Sequence, residues 1–145
     1  MKEQVPKVFN LRDVRSKMAA RSDPDALKTV LFQEVERYNI LLKRLAGAMS
    51  DLGKAVLGLV IVTPALEAVM NSLLEFRVPV KWSVAYPSSK GLASWMRDLG
   101  ARVQQINDWV NVDLPKVFWL SGFTYPTGFL TALLQTTARK NGIAI

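Results

Sequence analysis

Apolar residues recur at three- and four-residue steps over Leu27, Val30, Leu31, Tyr38, Leu41, Leu42, Leu45, Met49, Leu52 and Val56. That spacing puts them on one face of a helix. Ser22 or Asp23 is placed to cap its first turn, and Pro24 fits a position whose amide would have no partner, so the helix is expected to begin near residue 24. Gly47, Gly53 and Gly58 interrupt the pattern, each costing up to about 1 kcal/mol relative to alanine. A break is therefore expected over residues 47–51, with a second helix over 52–62.

Thr63 and Pro64 mark a further start, with Glu67 in the capping-box position. Leu66, Val69, Met70, Leu73 and Leu74 carry the helix to about Phe76, before Arg77, Val78 and Pro79 end it. Residues 80–87 read as a connection anchored by Trp82 and Tyr86. From Ser88 or Ser89 the helical spacing resumes through Leu92, Trp95, Met96, Leu99, Val103, Ile106, Trp109 and Val110. Asp113 is expected to cap a short turn at Pro115. An apolar stretch over 117–123 leads to a last helix from Pro126 through Phe129, Leu130, Leu133 and Leu134 to Arg139 and Lys140. Those cations suit the negative end of the helix, and Asn141 and Gly142 supply the stop. Residues 1–24 read as polar and irregular, with Val5, Val8, Phe9, Leu11 and Val14 as isolated anchors. Ile143, Ala144 and Ile145 read as the start of a strand. The fold class expected is mainly α, a bundle of about five to six helices with irregular connections.

Length and composition are compatible with one folded domain, since 145 residues with half of them hydrophobic can bury a core. The longest nearly uncharged stretch, residues 55–66, contains Gly58 and Pro64 and falls well short of the ~20 residues that span a bilayer. The first residues lack the apolar run of a secretory signal, and a cytosolic location is expected. The net charge is +7, but the basic residues are scattered. The densest group, Lys7, Arg12, Arg15, Lys17 and Arg21, is mixed with Asp13 and Asp23 and has no interleaved aromatics. A basic docking face is expected rather than a nucleic-acid module.

The absence of histidine and cysteine removes Ser-His-Asp and Cys-His nucleophiles and the usual zinc, haem and iron-sulfur ligand sets. The nearest approach to a phosphate loop is Gly47 to Lys54. It has Ala48 where the first glycine belongs and Ala55 in place of the magnesium-binding hydroxyl. Glu34 and Glu36, two apart on a helix, face different directions, and Asp113 of the Asp108/Asp113 pair serves as a cap. Trp82, Trp95, Trp109 and Trp119 at helical and loop positions read as core. No catalytic residue, metal site or cofactor site is expected.

Three ordered motifs point to a known family. The run Val30, Leu31, Phe32, Gln33, Glu34, Val35, Glu36, Arg37, Tyr38, Asn39, Ile40, Leu41, Leu42 resembles the first helix of the C-terminal domain of dynein heavy chains. Tyr86, Pro87, Ser88, Lys90, Leu92, Trp95, Asp98 and Leu99 are similar to a second family motif. The third is the most specific: Phe118, Trp119, Leu120, Ser121, Gly122, Phe123, Pro126, Gly128, Phe129, Leu130, Thr131, Leu134, Gln135, Ala138, Arg139 and Lys140, in a form associated with axonemal heavy chains. Pro6, Val8, Phe9, Asn10 and Leu11 resemble the segment that leaves the sixth AAA module. Ser89, Gly91, Thr124 and Tyr125 depart from the family pattern.

The resemblance implies a linking segment over residues 1–23. It implies that residues 24–145 are the helical part of the C-terminal domain, without the β-barrel that follows it in many heavy chains. The parent protein would be an ATP-driven, minus-end-directed microtubule motor of the cilium or flagellum axoneme, a cytoplasmic and cytoskeletal protein. ATP and Mg would be bound in its AAA modules and none in this segment. The expected partners are the AAA modules of the same heavy chain, and microtubules only through the intact motor, with no nucleic acid and no membrane.

The segment is expected to brace the ring, with Gln33, Glu34, Arg37 and Asn39 as candidate polar contacts on one helix. An equally weighted reading leaves Gln33 and Arg37 solvated and makes Glu34 and Arg37 an ordinary intrahelical pair. Tyr38, Trp95, Asp98, Trp119, Gly122, Phe123, Pro126, Gly128 and Phe129 are the expected motif and core residues. An alternative function is an independent basic adaptor that binds tubulin or another acidic protein surface.

Overall fold

The computed structural model describes residues 4–142. The strand start expected at Ile143 to Ile145 lies outside them. The described residues contain five α-helices: α1 Leu11–Ala19, α2 Asp25–Val56, α3 Pro64–Leu74, α4 Leu92–Asn111 and α5 Pro126–Lys140. Short 3-10 turns lie at Val80–Trp82 and Leu120–Gly122. Among the described residues there is no strand, so the class is mainly α.

Four expected boundaries need correction. Residues 11–19 form a helix rather than an irregular stretch, capped by the Asn10 side chain, which accepts from the Asp13 amide at 3.2 Å. Its buried side chains are Val14 and Met18, one turn apart. A single i, i+4 pair on an otherwise polar segment is too short a pattern to announce a helix. The break expected over 47–51 is absent, and α2 runs without interruption for 32 residues. Gly47 and Gly53 lie on an open side where an added Cβ would meet nothing within 4 Å. Two glycine penalties of about 1 kcal/mol each are smaller than what the buried leucines upstream contribute.

The helix ends at Val56, short of the expected 62. Gly58 takes φ +72°, the Gly58 amide bonds to the Ala55 carbonyl, and that of Leu59 to Lys54. This is a glycine stop that satisfies two terminal carbonyls. α3 ends in the same hydrogen-bond pattern, but with Phe76 at φ 57° in the glycine position. Its start follows expectation: Thr63 Oγ1 accepts from the Leu66 amide at 3.2 Å, with Pro64 at the first position. α4 begins at Leu92 rather than at Ser88 or Ser89, and the Ser88 hydroxyl accepts from the Lys90 amide instead.

The protein divides into two compact units, and α2 and α4 each contribute residues to both. One unit comprises residues up to Val8 together with Asn39–Gly100. Its core holds Leu41, Leu42, Leu45, Leu66, Trp82, Tyr86, Trp95 and Leu99. Trp95 stacks with both Trp82, at 6.1 Å between ring centroids, and Tyr86, at 6.0 Å. Arg44 donates to the Lys81 carbonyl at 2.8 Å, and Lys90 pairs with the buried Asp98 at 3.0 Å. Such aromatic pairs add about 0.5–1.5 kcal/mol beyond the area they bury.

The other unit comprises Phe9–Tyr38 and the residues from Ala101 onward. Val14, Met18, Leu31, Val35, Tyr38, Ile106 and Trp109 are buried in it. An aromatic cluster also fills it, with Phe123 stacked on Phe129 at 4.5 Å, Phe118 against Phe129 at 4.6 Å and Trp109 edge-on to Phe118 at 5.5 Å.

Candidate functional site

The conspicuous polar arrangement of the second unit lies between α2 and the loop that leads into α5. Helical spacing places Glu34 on the same face as Leu27, Val30, Leu31 and Tyr38, so its carboxylate enters the core, where it is fully buried. A buried carboxylate is tolerated only when its oxygens are satisfied. Oε2 accepts from the Thr124 amide at 3.0 Å and from the Thr124 hydroxyl at 2.5 Å, and Oε1 accepts from the Tyr125 amide at 3.1 Å. Arg37, one turn along, donates from Nε to Thr124 Oγ1 at 2.6 Å and lies 3.7 Å from Glu34 Oε1. Its guanidinium also sits over the Tyr125 ring, 5.9 Å from the centroid.

The rest of the loop is fastened in the same manner. The Tyr38 hydroxyl donates to the Gly122 carbonyl at 2.5 Å. Gln105 uses both ends of its amide on one residue, donating to the Trp119 carbonyl at 3.1 Å and accepting from the Trp119 amide at 2.7 Å. A Cβ on Gly122 would fall 2.7 Å from Gln105 Nε2 and 2.8 Å from the Trp119 ring, and one on Gly128 would fall 2.5 Å from the Tyr125 ring. A methyl at either glycine of the third motif would thus have to displace a neighbouring side chain. Pro126 opens α5 at its first position.

Of the expected contact residues, Glu34 is corrected from a surface contact to an internal one, because its oxygens are spent on Thr124 and Tyr125 within the protein. The intrahelical pair with Arg37 exists, but its 3.7 Å separation is secondary to those shorter bonds. Asn39 is also buried, and belongs to the first unit. Gln33 is exposed and Arg37 half-exposed, so these two retain accessible surface.

Tyr38, Trp95, Phe123 and Phe129 are core, Gly122 is buried, and Asp98 is buried against Lys90. Trp119 is not core: it is 40% exposed, with the Arg102 guanidinium 5.6 Å from its ring centroid. Sequence reasoning passed over Thr124, read only as a departure from a pattern, and Gln105. Neither carries a periodic signal, and the Glu34 partner of Thr124 lies 90 residues away.

In chemical terms the arrangement is a fastening: donors and acceptors from distant parts of the sequence face each other. Among the described residues no group of three or more histidine, cysteine or carboxylate side chains is placed to hold a metal ion, and no helix is long and apolar enough to cross a membrane. Next to the fastening, Asp25, Thr29, Tyr125, Gln135 and Arg139 line a shallow open groove of about 470 Å³. The first unit presents a different surface: Val56, Leu57, Leu59, Val60, Ile61 and Val62 are all exposed, Ile61 at 90%.

Comparison with known proteins agrees with the motifs. The family profile for the C-terminal domain of dynein heavy chains matches residues 1–145. The sequence is 50% identical over 143 residues to the Dynein-1-beta heavy chain, flagellar inner arm I1 complex, of Chlamydomonas reinhardtii, covering 99% of this protein. It is 44% identical over 146 residues to dynein axonemal heavy chain 2 of Mus musculus and 45% identical over 143 residues to dynein axonemal heavy chain 1 of Rattus norvegicus, covering 100% and 98% of this protein. It spans 3% of the length of each of these relatives. The protein belongs to the family of C-terminal domains of dynein heavy chains.

Proposed function

We propose that this protein is a non-catalytic mechanical element of an axonemal dynein heavy chain, bracing the AAA modules of an ATP-driven microtubule motor in a cilium or flagellum. The observation that carries the reading is the fastening of α2 to the start of α5 through Glu34, Arg37 and Thr124. A continuous 32-residue helix is about 48 Å long at 1.5 Å per residue, and a buried charge-assisted tie along it resists bending and sliding. Exposed Gln33 and half-exposed Arg37 supply polar contacts to the ring. ATP and Mg are bound, and microtubules engaged, by other parts of the heavy chain.

The test is a heavy chain lacking residues 24–140. Velocity and its coupling to ATP hydrolysis are expected to change while nucleotide binding persists. Unchanged velocity and coupling in a folded motor would refute the reading.

A further inference from the structure

The segment before α2 is polar and short, yet Lys17, Arg21 and Asp23 tie it to the last turn of α4, with Arg21 at the centre. We infer that residues 9–23 form a strap latched to the C-terminal end of α4 by Arg21, so that displacement of α1 is delivered to α4 instead of being absorbed in the bend at residues 20–24. The consequence for the motor rests on the bracing reading; the latch rests on geometry.

The last carbonyls of a helix have no intrahelical amide to accept from and carry the negative end of its dipole. At the end of α4 the amides that would have served Trp109 and Val110 are engaged elsewhere. That of Asp113 bonds to the Asp108 carbonyl at 3.3 Å, and that of Leu114 to Asp113 Oδ1 at 2.8 Å. Arg21 Nη1 takes their place, donating to the Trp109 carbonyl at 2.5 Å and to that of Val110 at 3.3 Å. The remaining edge of the guanidinium is gripped by Asp23 in a two-point fork, Nε to Oδ1 at 3.1 Å and Nη2 to Oδ2 at 2.9 Å.

Asp23 also accepts from the Trp109 indole at 3.0 Å, so the carboxylate expected to cap α2 instead aims the arginine and touches the helix it seals. Its side chain is only 7% exposed, which shields the pair from the screening that weakens surface ion pairs.

Two further ties flank the latch. Lys17 of α1 donates to the Asn111 side chain, and Lys28 of α2 donates to the Arg21 carbonyl at 2.9 Å. With Val14 and Met18 buried below, the strap is held from Val14 to Asp23. Arginine is required at the centre because a lysine ammonium lacks the planar fork that meets a carboxylate and two carbonyls at once.

The experiment is hydrogen exchange on the protein with Arg21→Lys and, separately, Asp23→Asn, which keeps an acceptor for Trp109 but loses the charge. Amides of residues 14–20 are expected to exchange at least about tenfold faster in Arg21→Lys and by a smaller factor in Asp23→Asn, with residues 34–38 unchanged. Unchanged exchange over 14–20 in both variants overturns the latch, as does equal loss of protection at residues 34–38, which would mean general destabilisation.

In the parent heavy chain, Arg21→Lys is expected to alter the ratio of velocity to ATPase rate. A loosened α1 with an unaltered ratio overturns the transmission. If deletion of residues 24–140 still changes the motor in that case, the bracing reading survives; if deletion also leaves it unchanged, that reading fails.

Discussion

Both units of the protein are built on aromatic and aliphatic cores, but they differ in what accompanies the core. The unit containing the Glu34 fastening is closed by a buried charge, with Glu34, Arg37 and Thr124 joined across about 90 positions of sequence and Tyr38 and Gln105 securing the same loop. The unit containing Trp95 is closed by stacked rings and leucines and leaves an uncharged apolar run, Val56 to Val62, in solvent. Hydrogen bonds in which one partner is charged are directional and fix geometry, whereas stacked apolar side chains tolerate small displacements. The contrast assigns shape-keeping to the Glu34 fastening and bulk stability to the apolar cores of both units. An apolar run of that length is also the kind of surface that monomeric proteins seldom leave open.

Removing the centre of either arrangement should separate the two units most clearly. Trp95→Ala should destabilise the protein by about 4 kcal/mol, from lost burial and the cavity left between Trp82 and Tyr86, as read by urea denaturation. Glu34→Ala should cost about 3 kcal/mol, because three donors and the Arg37 charge lose their buried acceptor. Unlike Trp95→Ala, it should also abolish amide protection at Thr124 and Tyr125 before global unfolding. A Glu34→Ala variant as stable as wild type would mean that the buried carboxylate does not close its unit.

Gly122→Ala should cost about 2 kcal/mol, since the new methyl collides with Gln105 and Trp119, and thermal melting is sufficient to detect it. The smallest effect has the opposite sign. Gly47→Ala should stabilise by about 0.8 kcal/mol, because α2 continues through an open position there, and a loss of stability would show that the helix is interrupted as its sequence suggested.

Much of the helical frame was legible because burial repeats locally. The α2 face, the Thr63 cap, and α5 with its proline start and Asn141–Gly142 stop follow from neighbours three or four residues apart. α1 was not legible, since Val14 and Met18 are a single pair and, beside the Asn10 cap, it is held by Lys17, Arg21 and Asp23 meeting residues 86 to 94 positions away.

The candidate site shows the same limit. Periodicity placed Glu34 on a helix and made Arg37 its neighbour, but only tertiary structure reveals that Thr124 and Tyr125 consume the carboxylate and turn a supposed surface contact inward. The persistence of α2 past Gly47 is a matter of magnitude: local propensity favoured a break, and the buried face outweighed it.

The most direct test of the contrast is residue-resolved hydrogen exchange on the whole protein, reading Thr124 and Tyr125 beside Val60, Ile61 and Val62. The first pair is expected to be strongly protected and to lose that protection in Glu34→Ala, while the second group exchanges near the rate of an unfolded peptide in both proteins. Exchange at Thr124 and Tyr125 as fast as at Val60 to Val62 in the wild-type protein would contradict the assignment of shape-keeping to the Glu34 fastening.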